Sequence, residues 1–189
     1  MSLTFTDDFS AAALDTTNWR VRRTYMGPGV SVGGASIEAG RLKLSLDAFA
    51  DARPRLVMAT FVHPASEVDV TITIKEEDFG APDPQGEQYV VLAVGVRVQE
   101  ELPQDADFVG VMKGSDGVLK LCYGSYRGEE TVYSHGAAPV LPLDARIHRW
   151  GAETRVYVNG STTPLQSRSD FPLGPAMTSV AYHSGNAAA

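Results

Sequence analysis

The sequence predicts an all-β protein, a jelly-roll sandwich of two antiparallel sheets. Three observations predict it. The hydrophobic period is two rather than 3.6 along most of the chain. Gly/Pro/Asp breaks separate the alternating runs at short intervals. No segment holds an amphipathic helical period for three turns; the one short helical candidate is the Leu14 to Trp19 turn.

The runs follow in order. Arg41-Leu-Lys-Leu-Ser-Leu46 alternates as a half-buried strand should. Glu67-Val-Asp-Val-Thr-Ile-Thr-Ile74 places Val68, Val70, Ile72 and Ile74 on one face and Glu67, Asp69, Thr71 and Thr73 on the other. Tyr89 to Val98 is apolar on both faces, the signature of a central strand. Phe108–Met112 and Val118–Tyr123 flank Gly114-Ser-Asp-Gly117, a hairpin turn. Thr131–Tyr133 is short. Arg146–Arg149 and Thr154–Val158 flank a second hairpin at Trp150-Gly-Ala-Glu153, and Thr178–Tyr182 is the last strand. With no linker, repeat or low-complexity tract, the 189 residues are expected to form one domain, 1–189, of about a dozen strands.

Composition narrows the function. Hydrophobic residues are 43% and charged residues 21%, ordinary for a globular chain. The net charge of −7 repels phosphate backbones and argues against nucleic acid. No run of about 18 apolar residues predicts a membrane span. The single cysteine, Cys122, excludes an intramolecular disulfide and a cysteine zinc cluster; its strand setting reads as a small buried hydrophobe. Many secreted bacterial domains also lack disulfides. No signal peptide is visible, but Met1-Ser2-Leu3 reads as a vector-derived start. The expected location is therefore extracellular or periplasmic.

The opening stretch, FTDDFSAAALDTTNWRV, resembles the start of concanavalin-A-like lectin/glucanase domains, with their Asp-Asp-Phe and Leu-Asp-Thr-x-x-Trp. Further stretches resemble the same family in order: GASIEAGRLKLSL, SEVDVTITI, VLAVGVRV, DFVGVMKGSDGVLKLCY and RIHRWGAETRVYVNG. The tail departs from it: the family closes with one more strand after VAYHSG, whereas here Asn186 is followed by three alanines. The resemblance implies a sandwich with an open concave face. It does not choose among lectins, glycan hydrolases, lyases and adhesion modules.

The candidate residues follow from sugar chemistry. Glu67 and Asp69 are same-face carboxylates about 6.7 Å apart along a strand, a spacing able to flank a glycosidic bond. Laminarinase-like hydrolases carry Glu-x-Asp-x-Glu on one strand. Here Thr71 replaces the third acid, so a solvated strand face is the competing expectation. The chain-order position of that strand holds Asp105-Ala-Asp107-Phe-Val109, also without a final acid. Tyr89 and Arg97 flank Ala93 and Gly95 on one strand face, either as the walls and floor of a groove or as a packed core with a snorkelling Arg97. Trp150 at its hairpin is a stacking platform or a core anchor, and Tyr123, Tyr126, Tyr133 and Asn159 are further loop candidates, Asn159 reading also as the turn residue of Asn-Gly. Trp19 reads as a core anchor. Asp7 and Asp8 are candidate ligands for a structural calcium, or turn and cap residues. The four histidines have no metal-binding spacing. The leading expectation is a lectin-like domain binding an oligo- or polysaccharide on the concave sheet. The alternatives are a glycoside hydrolase of the same fold and a structural or adhesion module.

Overall fold

The computed structural model describes residues 9–25, 34–45, 55–61, 67–75, 79, 86–98, 103–127, 130–174 and 176–185. Among them are thirteen strands and no helix: β1 (Trp19–Tyr25), β2 (Gly34–Glu38), β3 (Arg41–Ser45), β4 (Arg55–Phe61), β5 (Glu67–Ile74), β6 (Glu87–Val98), β7 (Pro103–Lys113), β8 (Leu119–Arg127), β9 (Glu130–His135), β10 (Leu143–Trp150), β11 (Glu153–Val158), β12 (Gln166–Arg168) and β13 (Met177–Gly185). A seven-stranded sheet runs β1-β4-β13-β6-β7-β8-β9, a four-stranded sheet β12-β11-β10-β5, and β2-β3 form a hairpin. Every pairing is antiparallel. No helix of the described residues is long and apolar enough to cross a membrane.

Burial of one face of each sheet against the other drives the sandwich. Leu92, Val94, Val109 and Val111 of the large sheet meet Ile74, Leu143, Ala145, Ile147 and Val156 of the small one in a shared apolar layer. β6 is the middle strand of the large sheet, as its two-sided apolar sequence requires. The expected helical candidate is instead a capped turn. Asp15 accepts Thr17 N–H on its side chain at 2.8 Å and Trp19 N–H on its carbonyl at 2.9 Å, delivering Trp19 into β1. Trp19 is then buried between Phe9 and Phe61, with ring centroids 5.9 and 5.8 Å away. The two sequence-derived hairpins form where expected. Gly117, at φ 79°, closes the first by donating to Gly114 O at 2.9 Å, and Gly151, at φ 58°, turns the second.

Candidate functional site

Alternation along β5 and its register with β10 build one exposed surface. Glu67 lies opposite Trp150, Asp69 opposite His148, Thr71 opposite Arg146 and Thr73 opposite Asp144. β11 extends the rows with Glu153 beside Trp150, Arg155 beside His148 and Tyr157 beside Arg146. Arg146 grips Asp69 with Nε and Nη2, each 2.7 Å from a carboxylate oxygen. The bidentate hydrogen bond, with the guanidinium and His148 charges, holds the Asp69 carboxyl below its usual range; slight burial opposes this. Asp69 therefore stays ionised with both oxygens engaged. His148 Nε2 is 3.7 Å from Glu67 Oε1. The half-buried Trp150 ring packs 4.4 Å from the His148 ring and 4.8 Å from the Arg155 guanidinium, and Arg146 lies 5.2 Å over Tyr157. Three sequence-derived candidates, Glu67, Asp69 and Trp150, thus meet on the outer face of the small sheet.

The other candidates separate. Tyr89 is half-buried on the outer face of the large sheet, and its hydroxyl donates to Glu87. Burial first, and then that carboxylate, push its phenol well above the usual value. The expected groove floor beside it is not open. Ala93 and Gly95 are buried, as are Met58, Phe108, Met112 and Cys122 of the same layer. Tyr123 has the opposite phase and packs against the core between the sheets, while Tyr126 sits 5.5 Å from Phe108. Arg97 pairs with Gln104 through its backbone in β6; its side chain lies outside the described part. Asp7 and Asp8 also lie outside the described residues, and the calcium expectation with them. Among the described residues, no group of three or more His, Cys, Asp or Glu side chains is placed to hold a metal.

Sequence reasoning missed a polar seam between the sheets. Asp107 is fully buried and accepts hydrogen bonds from Ser125 Oγ and, at 3.2 Å, from Gln166 Nε2; Arg168 Nη1 stands 3.8 Å away. Arg149, Thr154 and Arg168 are direct cross-strand neighbours on the inner face of β10, β11 and β12. Arg149 is 1% exposed. Its Nη2 donates to Gly174 O at 2.6 Å and Pro172 O at 3.2 Å, and burial pulls the guanidinium below its ordinary value. Arg149 Nε and Nη1, Thr154 Oγ1 and Arg168 Nη1 have no hydrogen-bond partner. Each such buried donor costs about 1–3 kcal/mol, so the seam is a strained part of the interior. One signal was available: Arg149 falls in the apolar phase of β10, after Leu143, Ala145 and Ile147.

No protein-family model matches the sequence, and no curated protein matches it significantly. Solved structures do match. A glycosyl hydrolase family protein from Mycobacterium fortuitum superposes with a TM-score of 0.58 at 13% identity, covering 98% of this chain and 89% of its own. The β-glucanase of Bacillus licheniformis gives 0.56 at 13% identity, with 96% and 84% covered. An immunostimulatory antigen and pseudo-β-1,3-glucanase of Mycobacterium tuberculosis gives 0.54 at 13% identity, with 97% and 88% covered. The chain has the concanavalin-A-like lectin/glucanase fold.

On the lectin/glucanase fold, the strand after β6 is where the sequence resemblance located a hydrolase's acids. β7 does not present them outward. Asp107 turns into the interior, and the neighbouring residues of opposite phase are Ala106, Phe108 and Gly110, all buried. Val109, at the place of the third acid, belongs to the core.

Proposed function

We propose that this protein binds a polysaccharide without cleaving it, through the exposed face of β5, β10 and β11. The observation that carries this reading is the grouping of Trp150, His148 and Arg155 with Glu67 and the Asp69–Arg146 pair on one sheet face. An indole offers flat apolar area to the C–H face of a sugar ring, while carboxylate and guanidinium groups partner its hydroxyls. The lectin/glucanase fold supports a polysaccharide as the ligand class. An extracellular or periplasmic location belongs to the same proposal.

Hydrolysis is the second reading, and the neighbours' names favour it over binding, since they are glucanases and glycosyl hydrolases. Cleavage needs two carboxyls about 5–9.5 Å apart across a groove. The described residues weigh against it. Asp107 is committed to Ser125 and Gln166, and Asp69 to Arg146. One experiment separates the readings: affinity electrophoresis in gels containing β-1,3-glucan or mixed-linkage β-glucan, with a reducing-end assay on the same mixtures. Retardation without new reducing ends is expected. New reducing ends would establish the hydrolase; free migration in every polysaccharide would overturn both and favour an adhesion module.

A further inference from the structure

The Arg149–Thr154–Arg168 row holds more hydrogen-bonding capacity than the protein uses. Arg149 and Thr154 are each 1% exposed and Arg168 is 8% exposed. Asp107 and Asp170 both serve Arg168, whose Nε donates to Asp170 at 2.7 Å and whose Nη1 is 3.8 Å from Asp107. Among the described residues no carboxylate lies within ion-pair distance of Arg149, which has only the Pro172 and Gly174 carbonyls.

What fills the space between the two cations is an aromatic ring. Phe171 is buried, with the Arg149 guanidinium 4.7 Å and the Arg168 guanidinium 5.2 Å from its centroid. It belongs to a strap, residues 169–174, most of which faces solvent: Ser169, Asp170, Leu173 and Gly174 are exposed, Leu173 at 81%. The strap is tied to the β10–β11 turn by Phe171 N–H donating to Ala152 O at 3.0 Å. Two buried guanidiniums and a hydroxyl, all with unspent donors, share one inner sheet face, and the Phe171 ring packs against both guanidiniums. Guanidinium donors in that arrangement match an oxyanion.

We propose that Arg149, Thr154 and Arg168 form a closed oxyanion site plugged by Phe171. When the strap lifts, the site takes a small oxyanion, either free or as the acidic substituent of a sugar. Because the Phe171 ring packs against both guanidiniums, binding and strap opening are one equilibrium, and an anion stabilises the open state by its preference for it. This inference is independent of the exposed polysaccharide face, which lies on the opposite side of the small sheet.

The test is calorimetric titration of the whole chain with inorganic phosphate and, separately, with glucuronate, at fixed ionic strength in chloride. Hydrogen exchange at the Phe171 amide is followed alongside. Saturable one-to-one binding with faster exchange at Phe171 is expected. Phosphate alone binding marks a free-ion site; tighter binding of glucuronate marks an acidic sugar. Arg149→Met should weaken binding about tenfold to a hundredfold, as loss of a charge-assisted bond does. Thr154→Val, nearly isosteric, should weaken it in the same direction and serves if Arg149→Met does not fold. Phe171→Ala, which removes the plug, should bind more tightly than the natural chain. The proposal is overturned if neither anion binds saturably, or if Arg149→Met and Thr154→Val bind as the natural chain does.

Discussion

Arg146 and Asp69 are joined across β10 and β5 by two parallel hydrogen bonds of 2.7 Å, although both side chains remain partly in water, at 39% and 46% exposure. Because solvent screens the pair, Asp69→Asn should cost no more than about 1 kcal/mol in urea unfolding at pH 7. The folded carboxyl titrates below its unfolded value of about 3.9. Its contribution is therefore complete above that pH and lost as pH falls through the folded value. The gap between variant and natural chain should close in strongly acidic urea titrations; a gap that persists there would mean Asp69 acts through packing.

Asp107 is a different case because nothing screens it. Removing it with Asp107→Ala would strand Ser125, Gln166 and Arg168 around an apolar gap. Breaking a buried charge pair in this way costs about 3–5 kcal/mol. Guanidinium denaturation should show a loss of that order. A loss under about 1 kcal/mol, the size of a surface pair, would contradict the burial of the seam.

Two glycine substitutions separate steric from conformational cost. A Cβ on Gly124 would fall 1.9 Å from Val132 O and 2.8 Å from Phe108 Cζ, against backbone that cannot yield. Gly124→Ala should destabilise by about 3 kcal/mol or prevent folding. A Cβ on Gly151 meets open space, so Gly151→Ala should cost only the left-handed backbone term, about 1 kcal/mol. Thermal unfolding of the two variants side by side checks the order.

The Cys122 thiol is fully buried, and burial pushes its pKa up to about 12. Thiolate is the reactive form, so alkylation by iodoacetamide at pH 8 should run at least roughly a hundredfold slower in the native protein than in urea. Rapid native labelling would show that the outer layer of the large sheet opens readily.

Trp150 carries the functional proposal. Trp150→Ala should abolish retardation by polysaccharide while leaving the unfolding midpoint within several degrees, because the indole is only half-buried. Unchanged retardation would move the binding face elsewhere.

Most of the sandwich was legible because its strands alternate. Glu67 to Ile74 show the burial rhythm that their sequence spells, and the hairpins at 114–117 and 150–153 carry their own turn residues. β4 was not read because Val57, Met58, Ala59 and Thr60 are buried on both faces, which erases the alternation. β12 was not read because a three-residue Gln-Ser-Arg segment has no apolar signal at all. The site was less legible. Glu67 and Asp69 were chosen as a pair and Trp150 alone, and only the register of β5 with β10 brings the three together. Of the two readings of the face around Ala93 and Gly95, open floor or packed layer, the packed one holds; strand alternation says which residues share a face, not whether anything covers it. Arg149 and Arg168 went unseen because charged residues are ordinarily assigned to the surface.

Among the described residues, β5 is the terminal strand of its sheet, eight residues long and rich in Val, Ile and Thr. A ribbon of that kind invites a second molecule to dock edge to edge and extend the sheet into a fibre. Exposed Glu67 and the Arg146-paired Asp69 place ionised groups along this border, so two copies approaching in register would have to bury charge between them. Neutralising both acids would thus remove one obstacle to self-association along that edge, whatever else those carboxylates do.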